Sequence, residues 1–338
     1  MLSLDLIWYF IIGIAVVLYV ILDGFDLGVG MLHLCAKKDE DRRIFLNAIG
    51  PVWDGNEVWL IIVGGGLFAG FPDVYATLFS GFYNLCMVLL VGLIFRAVAI
   101  EFRSKRVSSK WRSTWDVVFC VASGVIAWGL GLVLGNLIQG IPLNAEKDFI
   151  GSFGDFFSLY TVLLGFMSVA VFVMHGALYL VVKTEGALQA RLRVWSKRAV
   201  AFFIAIYCVM TIATVVWMPH MIARFNEYPV AYLLPIATLL CICNIPREIA
   251  KKRDLRAFGS SCLGLALLFA LFGVGTFPFL VRSTIEGNSL TFINSAASTL
   301  TLTVLLIIVL IGVPLVLAYG WYIYRTFRGK VKLGPTSY

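Results

Sequence analysis

The chain reads as a succession of long apolar runs separated by short polar segments. Roughly 20 apolar residues in α-helical form cross a bilayer's hydrocarbon. Nine stretches reach or approach that length: 6–34, 48–70, 74–99, 116–140, 156–182, 199–222, 229–246, 257–281 and 299–324. The pattern predicts an all-α polytopic membrane protein with nine transmembrane helices, residues 1–338 forming a single transmembrane domain. The seventh stretch is short and carries Pro229, Pro235 and Pro246.

Charge gives the pattern a direction. Basic residues fill every second connection: Lys37 to Arg43, Arg103 to Arg112, Lys183 to Arg198, Arg247 to Arg256, and Arg325 to Lys332. Of the 27 Lys and Arg residues, only Arg96, Lys147, Arg224 and Arg282 lie elsewhere. Positive residues are retained on the cytoplasmic side. The alternation therefore predicts a periplasmic N-terminus and a cytoplasmic C-terminus, with Arg96 near the inner end of the third span. The first run lacks a basic segment and a small-residue cleavage site ahead of it, so it reads as a retained span.

Composition agrees and narrows the classes. The chain is 60% hydrophobic and 14% charged, with mean hydropathy +0.92, which excludes a soluble globular domain. A net charge of +8 invites a nucleic-acid partner. The basic residues sit in short connections between apolar runs, so no nucleic acid is expected. The seven cysteines fall within or at the ends of apolar runs, as packing residues do. Cys241 and Cys243 are not spaced as metal ligands, and no metal site or nucleotide fingerprint is read.

Against this apolar background, two acidic stretches stand out. Asp23 and Asp26 lie three residues apart in the first run, and Asp54 and Glu57 repeat that spacing in the second. Carboxylates are costly in hydrocarbon and face a protein interior or a water path. At about 1.5 Å of rise per residue, both pairs lie roughly 16–21 Å from the basic connection, on consecutive antiparallel helices, if those helices are continuous. Positions i and i+3 share a helix face, so each pair can point at one cytoplasm-facing acidic pocket that takes up protons or a cation. Alternatively, these acids cap helix ends or pair with Arg42, Arg43 or a neighbouring chain. Trp53 and Asn56 flank Asp54, and an amide can hydrogen-bond a carboxyl in either protonation state. Gly24, Gly28 and Gly30, with Gly64, Gly65 and Gly66, follow the small-residue spacing of close helix packing.

Other polar residues carry weaker signals. His175 is the one histidine inside a run, about 12 Å from the basic connection by the same rise; it reads as a hydrogen-bonded core or relay histidine, with haem ligation as the other reading. His33 reads as interfacial, and Asp116 as a helix N-terminal charge beside the interface anchor Trp115. Asn136 and Gln139 at one span end, and Asn294, Ser295 and Ser298 at another, either cap helices or line an outer cavity.

The two acidic stretches, Asp23-Gly24-Phe25-Asp26-Leu27-Gly28-Val29-Gly30 and Trp53-Asp54-Gly55-Asn56-Glu57-Val58-Trp59-Leu60, resemble signatures of subunit II of cytochrome bd-type quinol oxidases. Phe79-Ser80-Gly81-Phe82-Tyr83, Gly135-Asn136-Leu137-Ile138-Gln139-Gly140 and Thr276-Phe277-Pro278-Phe279 extend the resemblance along the chain. It implies a nine-span subunit of a bacterial inner-membrane complex that oxidises quinol and reduces oxygen to water with cytoplasmic protons. Two b-type haems and one d-type haem would belong to a partner, subunit I. This chain would bind no cofactor or metal by itself and hold no complete active site. A small single-span accessory subunit is a further implied partner. Asp54 would match the family's acid at the subunit interface on a proton path, and Trp59 a tryptophan near an oxygen-access route. Trp53 and Asn56 are grouped with Trp59 as oxygen-access or interface residues. Asp23, Asp26 and Glu57 join the proton path on depth and spacing. Two other readings remain: a stand-alone proton- or cation-coupled secondary transporter, and a scaffold whose acids make only inter-subunit ion pairs.

Overall fold

The computed structural model describes residues 3–334. Its helices are α1 (Leu4–Leu32), α2 (Asp39–Ile49), α3 (Trp53–Gly70), α4 (Pro72–Gly81), α5 (Tyr83–Phe102), α6 (Ser109–Gln139), α7 (Leu159–Lys183), α8 (Gly186–Trp217), α9 (His220–Glu227), α10 (Leu233–Ala250), α11 (Asp254–Thr276) and α12 (Thr299–Thr326). Strands β1 (Phe279–Val281) and β2 (Leu290–Thr291) pair antiparallel between α11 and α12. Among the described residues, eight helices are long and apolar enough to cross a membrane. The α3–α4 pair, bent by 120°, makes a ninth if taken as one span.

The departures from the sequence expectation have local causes. Stretch 48–70 is not one helix: α2 ends at Ile49, residues 50–52 turn, and α3 starts afresh at Trp53. Pro51 has no N–H to continue a helical ladder. α2 carries three acids in its first turn and buries Phe45, Leu46, Ala48 and Ile49, as an amphipathic surface helix does. Pro72, free of an intrahelical N–H obligation at a helix start, opens α4. The basic segment before the sixth span is helical, so Arg191, Arg193, Lys197 and Arg198 extend α8 rather than forming a loop.

α1 lies at the centre, against α3, α6 and α7. A side chain on Gly28 would collide with the Phe172 carbonyl, and one on Gly176 with the Gly28 backbone. This crossing of α1 and α7 therefore requires glycine on both helices. Gly24 faces Phe172, and Gly30 faces Ser123 of α6. The close packing expected between the first two spans is thus made by α1 with α7 and α6. Of the α3 glycines, Gly64 and Gly65 face open space, while a Cβ on Gly66 would stand 3.4 Å from Ile12 of α1.

α12 is peripheral. Leu302 is its one buried residue, and its N-terminus is capped by Ser298. The Trp8 indole N–H donates to the Leu302 carbonyl at 3.0 Å. Beyond α12, Lys330 donates to the carbonyls of Val181 and Val182, holding the tail against the end of α7.

Candidate functional site

α1 brings Asp23 and Asp26, one turn apart, into the bundle interior, where both are buried. Facing them is Arg96 of α5, fully buried. Its two terminal nitrogens donate to the two oxygens of Asp23 at 2.9 and 2.6 Å, the bidentate geometry that suits a guanidinium to a carboxylate. Arg96 Nη2 also lies 3.0 Å from Glu57 Oε1. Arg96 thus bridges the acids of α1 and α3.

Asp26 is held differently. Asn56 Nδ2 donates to Asp26 Oδ2 at 2.7 Å and also contacts the Leu22 carbonyl at 3.2 Å. Asp26 Oδ1 is buried with no hydrogen-bond partner among the described residues. The Tyr324 hydroxyl on α12 donates to Asn56 Oδ1 at 2.9 Å, so Asn56 links α12 to α1. Beside this linkage, Tyr179 donates to the Ala48 carbonyl at 2.8 Å and stacks on Phe25. The result is three carboxyls, Asp23, Asp26 and Glu57, around one guanidinium.

The expected single pocket with four inward acids is not what forms. Asp54 is exposed, while Glu57 is half-buried and turned to Arg96. Three residues advance a helix by about 300°, leaving positions i and i+3 some 60° apart. In the first turn of α3 that angle separates an outward carboxyl from an inward one. The cation that pairs with Asp23 and Glu57 is Arg96, and Asp26 is held by Asn56. Trp59 is buried in the core and Asn56 lies inside the chain, so neither presents an interface; Trp53 is half-buried.

A second ionic cluster joins α2, α5 and α6 at the arginine-rich end. Asp116 is buried, not a charge at a helix start. It accepts from Arg103 Nε, and Arg42 Nη1 donates to its second oxygen at 2.8 Å. His33, also buried rather than interfacial, meets the same carboxylate through Nε2. Arg103 Nη2 continues to Asp39 at 2.7 Å, and Arg112 reaches Asp39 at 3.1 Å. From sequence, Arg96 has a depth but no site role and Asp116 reads as a helix-start charge, so neither emerges as a partner in an ionic cluster. An arginine inside an apolar run was the available signal for the first.

The histidines are each held by hydrogen bonds within the chain. His175 uses both ring nitrogens: Nε2 donates to the Ile21 carbonyl at 2.9 Å, and Nδ1 meets Ser261 Oγ at 2.7 Å. Its ring stacks on Phe258. His220 donates to the Ile138 carbonyl at 2.9 Å, and His33 is held by Asp116. No group of three or more His, Cys, Asp or Glu placed to hold a metal occurs among the described residues.

Long apolar helices around buried ion pairs define a polytopic membrane protein with charged groups in its interior. The comparisons with known proteins specify which. A model of the cytochrome bd terminal oxidase subunit II family matches residues 4–327, and the chain belongs to that family. It is 33% identical to cytochrome bd-I ubiquinol oxidase subunit 2 of Escherichia coli K12, over 97% of this chain and 95% of that protein. It is 32% identical to cytochrome bd ubiquinol oxidase subunit 2 of Bacillus subtilis, over 98% of each. The fold matches a chain of the bd oxidase from Geobacillus thermodenitrificans with a TM-score of 0.80 at 18% identity, covering 96% of this chain and 98% of that one. The chain is therefore a subunit of a terminal oxidase, an oxidoreductase complex of the electron-transport chain. It is a multi-pass protein of the bacterial inner membrane, and family membership implies a subunit I partner.

Proposed function

We propose that this chain is the haem-free subunit II of a complex that oxidises quinol and reduces oxygen to water. Two b-type haems and one d-type haem reside in subunit I. The relatives from E. coli and B. subtilis are named ubiquinol oxidase subunits, which supports a quinol as reductant. Residues 1–338 act as one transmembrane domain, with the N-terminus periplasmic and the arginine-rich ends cytoplasmic, as the positive-inside rule favours. The chain stabilises subunit I, and a small single-span subunit completes the complex.

The chain's chemical task is to pass protons toward the partner. The observation that carries this reading is Asp54: an exposed carboxyl opening a span, one helical turn from a buried cluster with more acids than cations. An ionisable group on such a surface calls for a protein partner or water against it. Asp26 and Glu57 hold protons that arrive from the cytoplasmic side, Asp23 and Arg96 fix the field between them, and Asp54 hands protons across the interface. Trp59 flanks an apolar route for oxygen along α3. Family membership lends no support to a stand-alone transporter.

Replacing Asp54 by Asn in the purified complex tests the relay. Quinol-driven oxygen uptake falls about tenfold or more, as loss of a positioned proton-transfer group does, while haem content and subunit stoichiometry stay normal. Wild-type turnover overturns the relay. Loss of assembly supports the scaffold reading instead.

A further inference from the structure

At the end of the bundle opposite the arginine-rich one, a cavity of about 550 Å³ opens between the ends of α6, α7 and α8, the start of α9 and the residues after β1. Gln139, Ser158, Trp217, His220, Arg282 and Thr284 line it, and no carboxylate does among the described residues. None of the acid-site residues takes part.

Arg282 is held in place from both sides. Its carbonyl accepts from Ile141 N at 3.0 Å, and Thr284 N donates back to the Ile141 carbonyl at 3.0 Å. Gly140, at φ +92°, lets the end of α6 approach: a Cβ there would stand 3.3 Å from the Arg282 carbonyl. The guanidinium lies 5.8 Å from the Phe279 ring centroid and forms no ion pair among the described residues. Four arginines near helix ends do meet carboxylates: Arg42 and Arg103 meet Asp116, Arg191 meets Asp41, and Arg193 meets Asp254.

The rest of the lining also offers donors. Gln139 turns its carbonyl to the Ser158 hydroxyl at 2.6 Å, leaving its two amide N–H groups uncommitted among the described residues. His220 donates Nε2–H to the Ile138 carbonyl. Burial pushes the His220 imidazole below its usual range, the bond to Ile138 opposes this, and the Arg282 charge adds to the lowering. The cavity therefore feels an uncompensated positive charge. A ligand with acceptors only, matched to a planar fork of N–H donors, suits this arrangement, and the phosphate group is the common biological example.

The surroundings indicate what carries that phosphate. Trp217, half in the open at the end of α8, is the residue type that sits at headgroup level. Below it, Val209, Ile212 and Val216 form an exposed apolar stripe at three- and four-residue spacing along α8. Leu159, at the start of α7, is exposed beside the same opening. We propose that this cavity is a phosphate-binding site for an anionic phospholipid headgroup, with Arg282 and Gln139 as its main donors and the acyl chains lying along the α8 stripe.

The test uses the whole complex in detergent, stripped of lipid, titrated with dioleoylphosphatidylglycerol and followed by native mass spectrometry. The wild type takes up the lipid. Arg282→Gln weakens uptake about tenfold or more, the loss expected for a hydrogen bond to a charged group, and Gln139→Leu weakens it a few-fold. Arg282→Lys serves if the glutamine variant does not assemble, and it lowers affinity because the fork is lost. Inorganic phosphate at tens of millimolar is the second arm. Failure of phosphate to displace the lipid identifies the headgroup as occupant, whereas displacement with the same Arg282 dependence assigns the site to free phosphate and overturns the lipid. Equal lipid uptake by the wild type and all three variants overturns the site itself.

Discussion

The chain holds two ionic clusters, and they are built on opposite arithmetic. Around Asp116, carboxylates are outnumbered: Arg42, Arg103 and Arg112 share Asp116 and Asp39, and His33 hydrogen-bonds to Asp116. Around Arg96, cations are outnumbered: Asp23 and Glu57 share one guanidinium, Asp26 one turn from Asp23 is held only by Asn56, and one of its oxygens has no partner among the described residues. A carboxylate surrounded by cations has no reason to take a proton. A group of acids short of positive charge does, because a proton relieves their repulsion. The first cluster therefore reads as a clasp joining α2, α5 and α6, and the second as a place where protons can reside.

The sharpest way to break this comparison is to remove the one cation of the acid site. Arg96→Leu leaves Asp23 and Glu57 buried without a counter-charge and costs about 3–5 kcal/mol. It is expected to abolish recovery of assembled complex, and adding Asp23→Asn restores part of it. Equal yields for the single and double variants would mean the pair is not the stabilising contact. Asp116→Asn strips the clasp of its charge and costs about 2 kcal/mol, within the range for hydrogen bonds to charged groups. Thermal unfolding of the complex should register that loss, while turnover per assembled complex stays at the wild-type level. A turnover defect without a stability defect would reverse the roles assigned to the two clusters.

Asp26→Asn asks the complementary question. Amide and carboxyl have the same shape, so assembly should be preserved, whereas oxygen uptake should drop about tenfold, as for loss of one proton carrier. Normal uptake would leave the acid excess without a function. The smallest effect belongs to Tyr324→Phe, which removes one hydroxyl from Asn56. Its cost is about 1 kcal/mol, with a few-fold slowing of turnover. The same slowing in an Asp26→Asn background would show that Tyr324 does not act through Asp26.

The long apolar helices, apart from the broken stretch 48–70, were legible in the sequence because hydrocarbon thickness acts along the chain, one residue after another. So was the prominence of the four acids. What lay out of reach was azimuth. Counting residues along a helix gives depth but does not tell which way Asp54 turns, and the break at residues 50–52 resets the face on which α3 presents its first turn. Arg96 was placed correctly near a span end, yet its partner sits 73 residues earlier, a pairing no periodicity records. Asp116 resembled a helix-start charge because its helix begins two turns earlier, at Ser109, than hydropathy indicates. The glycines announced close packing but could not name the partner helix; the answer, α7, required Gly176 on the other side.

Tyr324 and Asn56 are 268 residues apart, and Tyr324 lies on the last helix of the chain. A ribosome makes the acids of α1 and α3 first and this hydroxyl among the last. During synthesis, then, Asn56 and Asp26 wait without their final contact while nine further helices, α4 to α12, are made. The order of manufacture acts as a timer: the contact of Tyr324 with Asn56 forms only after α12 has been made, and a product truncated before α12 never makes it.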